Sequence, residues 1–470
     1  MSKNGDFALT LLFLLCSCSV GETYIPQTYL DQKQLLREIK LEQPSNSMSK
    51  EWYTIFNDRD LNTLLTYALS HNFTIKQGIE KLKQSRSLLQ IQSKNFFPMF
   101  DALAGYNYKK TNKSSLSMEN TNNFNVGFDA SWELDIWGKG KYVTNQYSAL
   151  MENAEYSLFD VKVSLSAEIV SSYIKLREAQ QKLIIAEKNL KLQNSILDIV
   201  KSKYANGIAD LLALNQAQFA VEETKAIIPP LKEQIEQYKN SLSVLSGTFS
   251  QSLPLDLDKY KKNLVSSAFK YSVSNLYKLP LDVIHTRPDI LATEATIRAQ
   301  HAVLNQAISS IFPTISLDAG FSYIAASGRH LFSSGNQVYD YAPTLTTPIW
   351  HWKQFVNNIE MRRHAKEQSI LNYNEAVLCA LKEIKDALTA IEQTYKTNLY
   401  RKKSYETMKS IMNLTLDKYK NGLVEFTDVA NAEKNLLENE TTFIESNAQI
   451  LQNFVSFYKA TGGGYNFYSR

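Results

Sequence analysis

The chain has 470 residues and is nearly neutral, with 51 basic and 47 acidic residues. A chain of this length exceeds one hydrophobic core, so we expect several domains or an elongated architecture. No cluster of Lys and Arg is interleaved with aromatic residues, as a nucleic-acid-binding face would require. The composition therefore argues against a nucleic-acid partner.

The N-terminus carries an export signal. Lys3 precedes an apolar run from Phe7 to Leu15, which is too short to span a bilayer but suits the core of a signal peptide. The run ends in Leu15-Cys16-Ser17-Cys18, which resembles a bacterial lipobox. We therefore predict a signal peptide over 1–17 and a covalent lipid, diacylglycerol with an N-acyl chain, on Cys18. An ordinary secretory signal is the alternative.

The chain matches itself at one constant offset of 215 positions. A fixed offset is the mark of a duplicated architecture. Each half is therefore predicted to repeat the order helix, strand, strand, long helix and returning helix. The matching positions are Phe97-Pro98 with Phe312-Pro313, Trp137 with Trp352, Tyr204 and Gly207 with Tyr419 and Gly422, and Gly247 with Gly462.

Two segments lack both Gly and Pro, from Lys141 to Asn206 and from Ile349 to Asn421. At about 1.5 Å per residue, each would form a helix of roughly 100 Å, far longer than a globular domain allows. Each segment ends at an Asn-Gly pair, and Gly207 and Gly422 suit the left-handed position that closes a helix. We predict hairpin tips at these glycines, each followed by a returning helix.

Two shorter helical segments are predicted in the first half, from Asp60 to Asn95 and from Leu211 to Gly247. Together they match the length of one long helix and could stack end to end beside it. Pro229-Pro230 is expected to bend or break the returning helix, since proline removes a backbone donor. The second half has no such pair.

Four stretches alternate between apolar and polar residues, the period of two that marks β-strands. The clearest cover 124–136 and 314–323, and weaker runs cover 100–108 and 339–349. Alternation alone also fits a half-buried soluble sheet. Strands of about ten residues with aromatic ends and polar loops are instead typical of a transmembrane β-barrel. Since four strands cannot close a barrel, several chains must share one.

Short motifs lie in order along the chain: Cys18 to Pro26, Ser131 to Gly138, Arg287-Pro-Asp289 with Glu294, Phe312 to Leu317, and Lys459 to Gly464. Together they resemble the TolC-like outer-membrane efflux channels, in particular the lipoprotein branch typified by OprM and NodT. The resemblance covers essentially the whole chain.

One stretch departs from the family pattern, because Pro348 to Lys353 replaces a Gly-rich turn. We therefore expect a differently shaped junction between strand and helix there.

The resemblance implies an α+β fold of mostly long helices that form a periplasmic α-barrel. Four transmembrane strands per chain would join a shared, trimeric 12-stranded β-barrel. It further implies a homotrimer in the outer membrane that contacts lipid and docks to a periplasmic adaptor protein and an inner-membrane transporter. Such a channel conducts drugs or other small molecules passively to the exterior. No cofactor other than the lipid on Cys18 is implied.

The resemblance also implies a gate where the hairpins converge and acidic side chains ring the aperture. Asp428 matches the family's acidic position after the second tip, with Glu425 and Asp210 nearby. Carboxylates that converge in a narrow pore repel one another and attract cations. For each of these acidic residues, the alternative interpretation is that its negative charge only stabilises the N-terminus of a helix.

We interpret Arg287-Pro-Asp289 as a helix start, since Pro suits the first helical position.

The predicted domain boundaries follow the repeat. They are a signal peptide 1–17, a lipidated extension 18–59, a first efflux repeat 60–247, an equatorial linker 248–286, a second efflux repeat 287–462 and a tail 463–470.

Nothing in the sequence predicts catalysis. The six histidines form no metal-spaced pair, and P-loop, GxSxG and GxGxxG motifs are absent. We therefore predict no enzyme activity, no catalytic residue and no metal site. The remaining alternatives are a coiled-coil structural or adhesive surface lipoprotein, a type I secretion duct and a passive porin. Alternating strands at equivalent positions in two repeats argue against the coiled coil, and a porin would consist mainly of strands.

Overall fold

The computed structural model describes residues 20–30, 52–109, 121–258 and 284–463. The predicted signal peptide, Cys18 and most of the predicted linker lie outside these ranges. The elements are α1 (Arg59–His71), α2 (Phe73–Lys94), β1 (Met99–Lys109), β2 (Thr121–Leu134), α3 (Lys139–Ala205), α4 (Leu211–Leu245), α5 (Pro288–Ser309), β3 (Thr314–Ala325), β4 (Gln337–Thr346), α6 (Trp352–Lys420) and α7 (Phe426–Ala460). This order confirms a mostly helical fold built from two repeats.

Helices α3 and α6 occupy nearly all of the two long segments that lack Gly and Pro, and α3 also includes Gly140 in its first turn. They contain 67 and 69 residues. Ion pairs one turn apart, such as Glu178 with Lys182 and Glu392 with Lys396, lie along them at 2.7 Å. Each such pair stabilises a helix by a few tenths of a kcal/mol, about 0.3. Among the described helices, none combines the length and the apolar character needed to cross a bilayer.

The single helix predicted from Asp60 to Asn95 is wrong, because the chain leaves helical geometry at Asn72 and forms α1 and α2. Asn72 has an extended ψ of 134°. Its Nδ2 donates to the carbonyl of Leu245 at 2.8 Å, and its Oδ1 accepts from the N–H of Ile75 at 3.0 Å. Asn72 therefore caps α2 while it holds the end of α4.

Helix α4 runs without interruption through Pro229-Pro230, so of the predicted bend or break, the break is wrong. Each proline leaves the carbonyl four residues earlier without its helical donor. Both prolines lie on the exposed face of α4, whereas Val221 and Ile235 are buried. Because the affected carbonyls of Lys225 and Ala226 belong to exposed residues, water can replace the missing donors.

The four predicted strands form one antiparallel sheet in the order β1-β2-β3-β4. Strands β1 and β2 form one hairpin, β3 and β4 form the other, and the ladder between β2 and β3 joins the two repeats. Strand β2 ends at Leu134 and β4 ends at Thr346, earlier than the alternation predicts. Within the described residues, β1 and β4 each have one neighbouring strand, so both outer edges of the sheet are open.

The two junctions between strand and helix differ, as the departure at Pro348 to Lys353 predicts. In the first repeat, Gly138 has a φ of +77° and separates β2 from α3. Its equivalent in the second repeat is Lys353, which already lies in α6 because that helix begins at Trp352. A lysine strongly disfavours the left-handed turn, so the helix begins earlier.

The described chain divides into two compact units. The sheet unit comprises 20–29, 81–109, 121–155 and 292–374, and the helical unit comprises 30, 52–80, 156–258, 284–291 and 375–463. In the sheet unit, the N-terminal segment bonds through Glu22 to Asn305 and through Thr28 to Asn374, both at 2.9 Å. The helical unit contains the largest fully buried side chains, Tyr173 and Phe457.

Candidate functional site

The candidate site is the pair of helix tips in the helical unit, where α3 and α6 end. At the first tip, Gly207 has a φ of +70°. Its N–H donates to the carbonyl of Tyr204 at 3.0 Å, and the N–H of Ile208 donates to that of Lys203 at 2.8 Å. Such paired bonds close a helix around a left-handed glycine. The second tip repeats both bonds with Tyr419, Gly422, Lys418 and Leu423.

A hydrophobic cluster, here called the tip core, packs the two hairpins side by side. Its buried members come from α3, α4, α6 and α7: Ile196, Leu197, Val200, Ala217, Val221, Met412, Tyr419, Phe426, Val429 and Ala432. Lys203 of α3 adds a polar link, since its Nζ donates to the carbonyl of Tyr419 at 2.7 Å and lies 4.0 Å from the centre of that ring. The cluster therefore brings the acidic residues of both tips to one end of the helical unit.

Asp210 occupies the N-cap position of α4. Its Oδ1 accepts from the N–H of Ala213 at 2.8 Å, and the side chain is otherwise exposed. A capping carboxylate satisfies a backbone donor that the helix cannot, and it interacts favourably with the helix dipole. Asp210 therefore stabilises the start of α4, and this capping role is sufficient to explain an acidic residue at this position.

Glu425 and Asp428 differ from Asp210. Glu425 occupies the N-cap position of α7, but its side chain makes no capping hydrogen bond. Asp428 lies in the first turn of α7, and its backbone N–H donates to the carbonyl of Glu425 at 3.2 Å. Both carboxylates are exposed. Their charges are therefore presented to solvent just beyond the second tip, where they can attract cations.

Sequence reasoning missed Glu433, which is buried in the core-facing side of α7. Only 3% of Glu433 is exposed, and its Oε1 has no hydrogen-bond partner among the described residues. Burial raises the pKa of Glu433 to about 7. The equivalent residue in the first repeat is Gln218, which is exposed. The available signal was its spacing of four from Val429 and seven from Phe426, the core positions of a heptad.

Arg287 ties the start of α5 to the end of α7 and to the middle of α6 in the helical unit. Its Nε and Nη2 form a forked pair with the Asp289 carboxylate at 3.0 and 2.7 Å. Its Nη1 donates to the carbonyl of Ala460 at 2.7 Å and lies 2.9 Å from Glu383 Oε2. Helix α5 begins at Pro288 with Asp289 in its first turn, so Arg287-Pro-Asp289 forms the predicted helix start.

The predicted lipid site, Cys18, lies outside the described residues. Two positions later, the N–H of Val20 donates to the carbonyl of Trp137 at 3.3 Å in the sheet unit.

Within the described ranges, no group of three or more His, Cys, Asp or Glu side chains is arranged to hold a metal ion.

Long helical hairpins and a small antiparallel sheet are also the fold of a solved outer-membrane channel. The outer-membrane channel CmeC of Campylobacter jejuni has a solved structure that is similar to this chain, with a TM-score of 0.85 and 22% sequence identity. The match covers 96% of this chain and 95% of CmeC. The predicted fold class is therefore confirmed.

The chain belongs to the outer membrane efflux protein family, whose sequence profile matches residues 64–248 and again 279–463. The cation efflux system protein CusC of Escherichia coli O6:H1 is 26% identical over 462 residues, covering 96% of each chain. The probable outer membrane lipoprotein SilC of Salmonella typhimurium is 24% identical over 469 residues, covering 99% of this chain and all of SilC. The chain is an outer-membrane channel component of an efflux system, and members of this family are channels.

Proposed function

We propose that three copies of this chain form the outer-membrane duct of a tripartite pump, with Cys18 lipidated and a periplasmic adaptor and an inner-membrane transporter as partners. The observation that carries the proposal is the four-stranded sheet with two open edges. Unpaired strand edges in lipid leave backbone groups unsatisfied, so the sheet must continue into other chains. Three copies supply about 12 strands, enough to enclose a wide pore.

The gate of this duct is proposed at the second tip, on Asp428 and Glu425, with Asp210 as a cap of the neighbouring hairpin. Their exposure and the absence of a capping bond on Glu425 support this assignment. Repetition by a threefold axis would bring several carboxylates to one aperture. Their repulsion would be relieved by bound cations or by adaptor contacts.

The assignment is tested by single-channel conductance of the purified protein in planar bilayers. We expect Asp428→Ala to raise the conductance severalfold above the wild-type level, because the substitution removes a charge from the constriction. Asp417→Ala is the matched control, since Asp417 is an exposed acid on α6 before the same tip. An unchanged conductance in Asp428→Ala, in a protein of trimeric mass, would exclude Asp428 as the gate.

Asp210 needs a paired design, because its carboxylate caps α4. Asp210→Asn keeps an oxygen acceptor for the N–H of Ala213 but removes the charge. Asp210→Ala removes both. If the charge acts at the aperture, we expect both variants to raise the conductance above the wild-type level by the same factor. A change confined to Asp210→Ala would assign the residue to helix capping alone.

Lipidation is tested separately by Cys18→Ser. We expect metabolic labelling with radioactive palmitate to mark the wild type and to be lost in the variant, since a hydroxyl cannot form the thioether. Persistent labelling would place the lipid elsewhere. Membrane insertion of the variant, measured by outer-membrane fractionation, shows whether the barrel anchors the chain without its lipid.

Family membership favours the channel over a coiled-coil surface lipoprotein and over a passive porin. The cargo is proposed to be chosen by the transporter, as the relatives are named for different exported species. CusC is named for cations, and other relatives are named for solvents and toluene. Small-molecule efflux is the function we propose, with type I secretion as the alternative.

A further inference from the structure

A cavity of about 480 Å³, here called the junction cavity, lies in the sheet unit between the N-terminal segment, α3 and α5. The N-terminal segment contributes Gly21 to Tyr24 to its lining. Helix α3 contributes side chains from Lys141 to Glu152, and α5 contributes side chains from Arg298 to Asn305. The volume is within the range of sites that bind small molecules.

Glu22 holds the N-terminal wall of the junction cavity in place. Its N–H donates to Oδ1 of Asn305 at 2.9 Å, and its carbonyl accepts from Nδ2 of the same residue at 2.9 Å. The carbonyl also lies 3.0 Å from Nε2 of His301. The Glu22 carboxylate lies 3.4 Å from Arg363 and 3.8 Å from Lys366, both on α6. The wall is therefore fixed to α5 and α6.

His301 brings an unpartnered acceptor to the lining of the cavity. Only 6% of the residue is exposed, and its Nδ1 has no hydrogen-bond partner among the described residues. Since a backbone carbonyl only accepts, Nε2 carries the proton toward Glu22 and Nδ1 keeps its lone pair. Burial and the nearby charge of Lys366 lower the pKa of His301, which favours this neutral form.

Arg298, one turn earlier on α5, brings an unpartnered donor to the same lining. Its Nη2 pairs with Oε2 of Glu152 on α3 at 2.7 Å, whereas its Nε is buried and has no partner within the described ranges. Buried polar atoms without partners are rare, because they lose their hydration without compensation. A ligand that carries both an acceptor and a donor would satisfy Arg298 and His301 together.

The charges of the lining favour a ligand without net charge. Among the described residues that line the cavity, the cations Lys141 and Arg298 are balanced by the anions Glu22 and Glu152. In a zwitterion, each charge can lie beside an opposite charge of the protein, whereas a singly charged ligand leaves one sign without a counterpart. The Lys141 side chain is exposed, so it is available to a ligand at the mouth of the cavity.

The cavity lies beside the junction of β2 with α3, where the chain is proposed to leave the membrane. The N–H of Val20 donates to the carbonyl of Trp137 in this junction, and Lys141 lies in the first turn of α3. Cys18 precedes Gly21 by three residues, which span at most about 10 Å. The proposed covalent lipid is therefore attached close to the cavity, which places the cavity at the headgroup level of the same leaflet.

We propose that the junction cavity binds the headgroup of a phospholipid that carries a phosphate and a primary ammonium group, as phosphatidylethanolamine does. This inference rests on the proposed barrel and on the lipidation of Cys18. The phosphate accepts hydrogen bonds from Arg298 and Lys141, and the ammonium donates to Nδ1 of His301. Two carbons separate the phosphate ester oxygen from the ammonium nitrogen, so one headgroup can reach side chains one helical turn apart.

Native mass spectrometry of the full-length protein, purified in detergent and stripped of lipid, tests this site. The probes are short-chain phosphatidylethanolamine and short-chain phosphatidylcholine, which has the same charges but no N–H donor. We expect the wild type to bind one phosphatidylethanolamine per chain about tenfold more tightly than phosphatidylcholine, because only the former can donate to Nδ1 of His301. Equal binding of the two lipids would overturn the proposal.

A third probe, glycerophosphoethanolamine, has the headgroup without acyl chains and separates a lipid from a soluble phosphodiester. We expect it to bind more weakly than the lipid, because acyl chains add apolar contact. Binding as tight as that of the lipid would overturn the assignment to a lipid.

His301→Gln tests the ammonium end of the site. The amide of glutamine can still donate to the carbonyl of Glu22, but it supplies no acceptor at the position of Nδ1. We expect phosphatidylethanolamine to bind this variant only as tightly as phosphatidylcholine does. His330→Gln is the matched control, because His330 is exposed in the loop between β3 and β4. A tenfold preference that persists in His301→Gln would overturn the assigned site.

Lys141→Gln tests the phosphate end and changes only an exposed side chain. We expect both phospholipids to bind severalfold more weakly, since both carry the phosphate. Lys175→Gln, at an exposed lysine further along α3, is the matched control. Unchanged binding in Lys141→Gln would overturn the assigned phosphate contact. The same spectra give the mass of the assembly, so a trimer without lipid preference overturns this site alone, whereas a monomeric wild type overturns the proposed function.

Discussion

Replacing Arg287 with alanine is expected to destabilise the helical unit by about 2 to 3 kcal/mol, one of the two largest effects we predict. The variant loses a forked pair with Asp289, a hydrogen bond to the carbonyl of Ala460 and an ion pair with Glu383. Breaking a buried pair costs more, but the Asp289 and Glu383 side chains are 38% and 55% exposed and regain water. The guanidinium unfolding midpoint of the purified protein measures the loss.

The Arg287 side chain packs closely against Gly462. Gly462 has a φ of +76°, and a Cβ there would lie 3.1 Å from Cγ of Arg287. Arg287→Ala therefore also removes this packing contact. The control for Arg287→Ala is Arg363→Ala, because Arg363 is half exposed and pairs with Glu360 and Glu22. We expect less than about 1 kcal/mol from the control. Equal losses in both variants would show that Arg287 makes no special contribution.

Glu433→Gln is expected to remove a pH dependence from the hairpin of α6 and α7. Burial raises the pKa of Glu433 from 4.5 to about 7, so the folded state favours the neutral carboxyl. The cost of ionising Glu433 in the folded hairpin is therefore absent below about pH 4.5, and it lowers the stability of the hairpin progressively as the pH rises toward 7. Above pH 7 the loss is complete, and the shift corresponds to about 3 kcal/mol.

Hydrogen exchange of the peptide 426–440, corrected for the intrinsic exchange rate at each pH, measures this effect. We expect wild-type protection to fall between pH 5 and pH 8 and the Glu433→Gln protein to keep its protection. Glu438→Gln is the matched control, because Glu438 is an exposed glutamate on the same helix. Identical pH profiles for wild type and Glu433→Gln would refute the prediction.

Much of the fold could be predicted from the sequence because its strongest signals are local and repeated. Long segments without Gly or Pro define α3 and α6, and the period of two defines the strands. The Asn-Gly pairs at Gly207 and Gly422 mark the ends of helices through backbone conformation alone. These features do not depend on how distant elements pack.

The features that the sequence did not reveal depend on such packing. Asn72 interrupts a segment with helical periodicity because its amide meets the carbonyl of Leu245, which is 173 positions away. Pro229-Pro230 is tolerated because it falls on the exposed face of α4. Glu433 and Gln218 occupy equivalent positions, yet only Glu433 is buried, which alignment of the repeats cannot show.

The ladder between β2 and β3 has a consequence for how the chain acquires its structure. Each β-hairpin joins neighbouring stretches, but the pairing of Leu134 with Ile315 connects residues about 180 positions apart. Contacts between distant residues form slowly, since a large loop must close first. The two hairpins should therefore fold early and separately, each with bare strand edges. Newly synthesised chains would then be most prone to aggregation before β2 and β3 have paired.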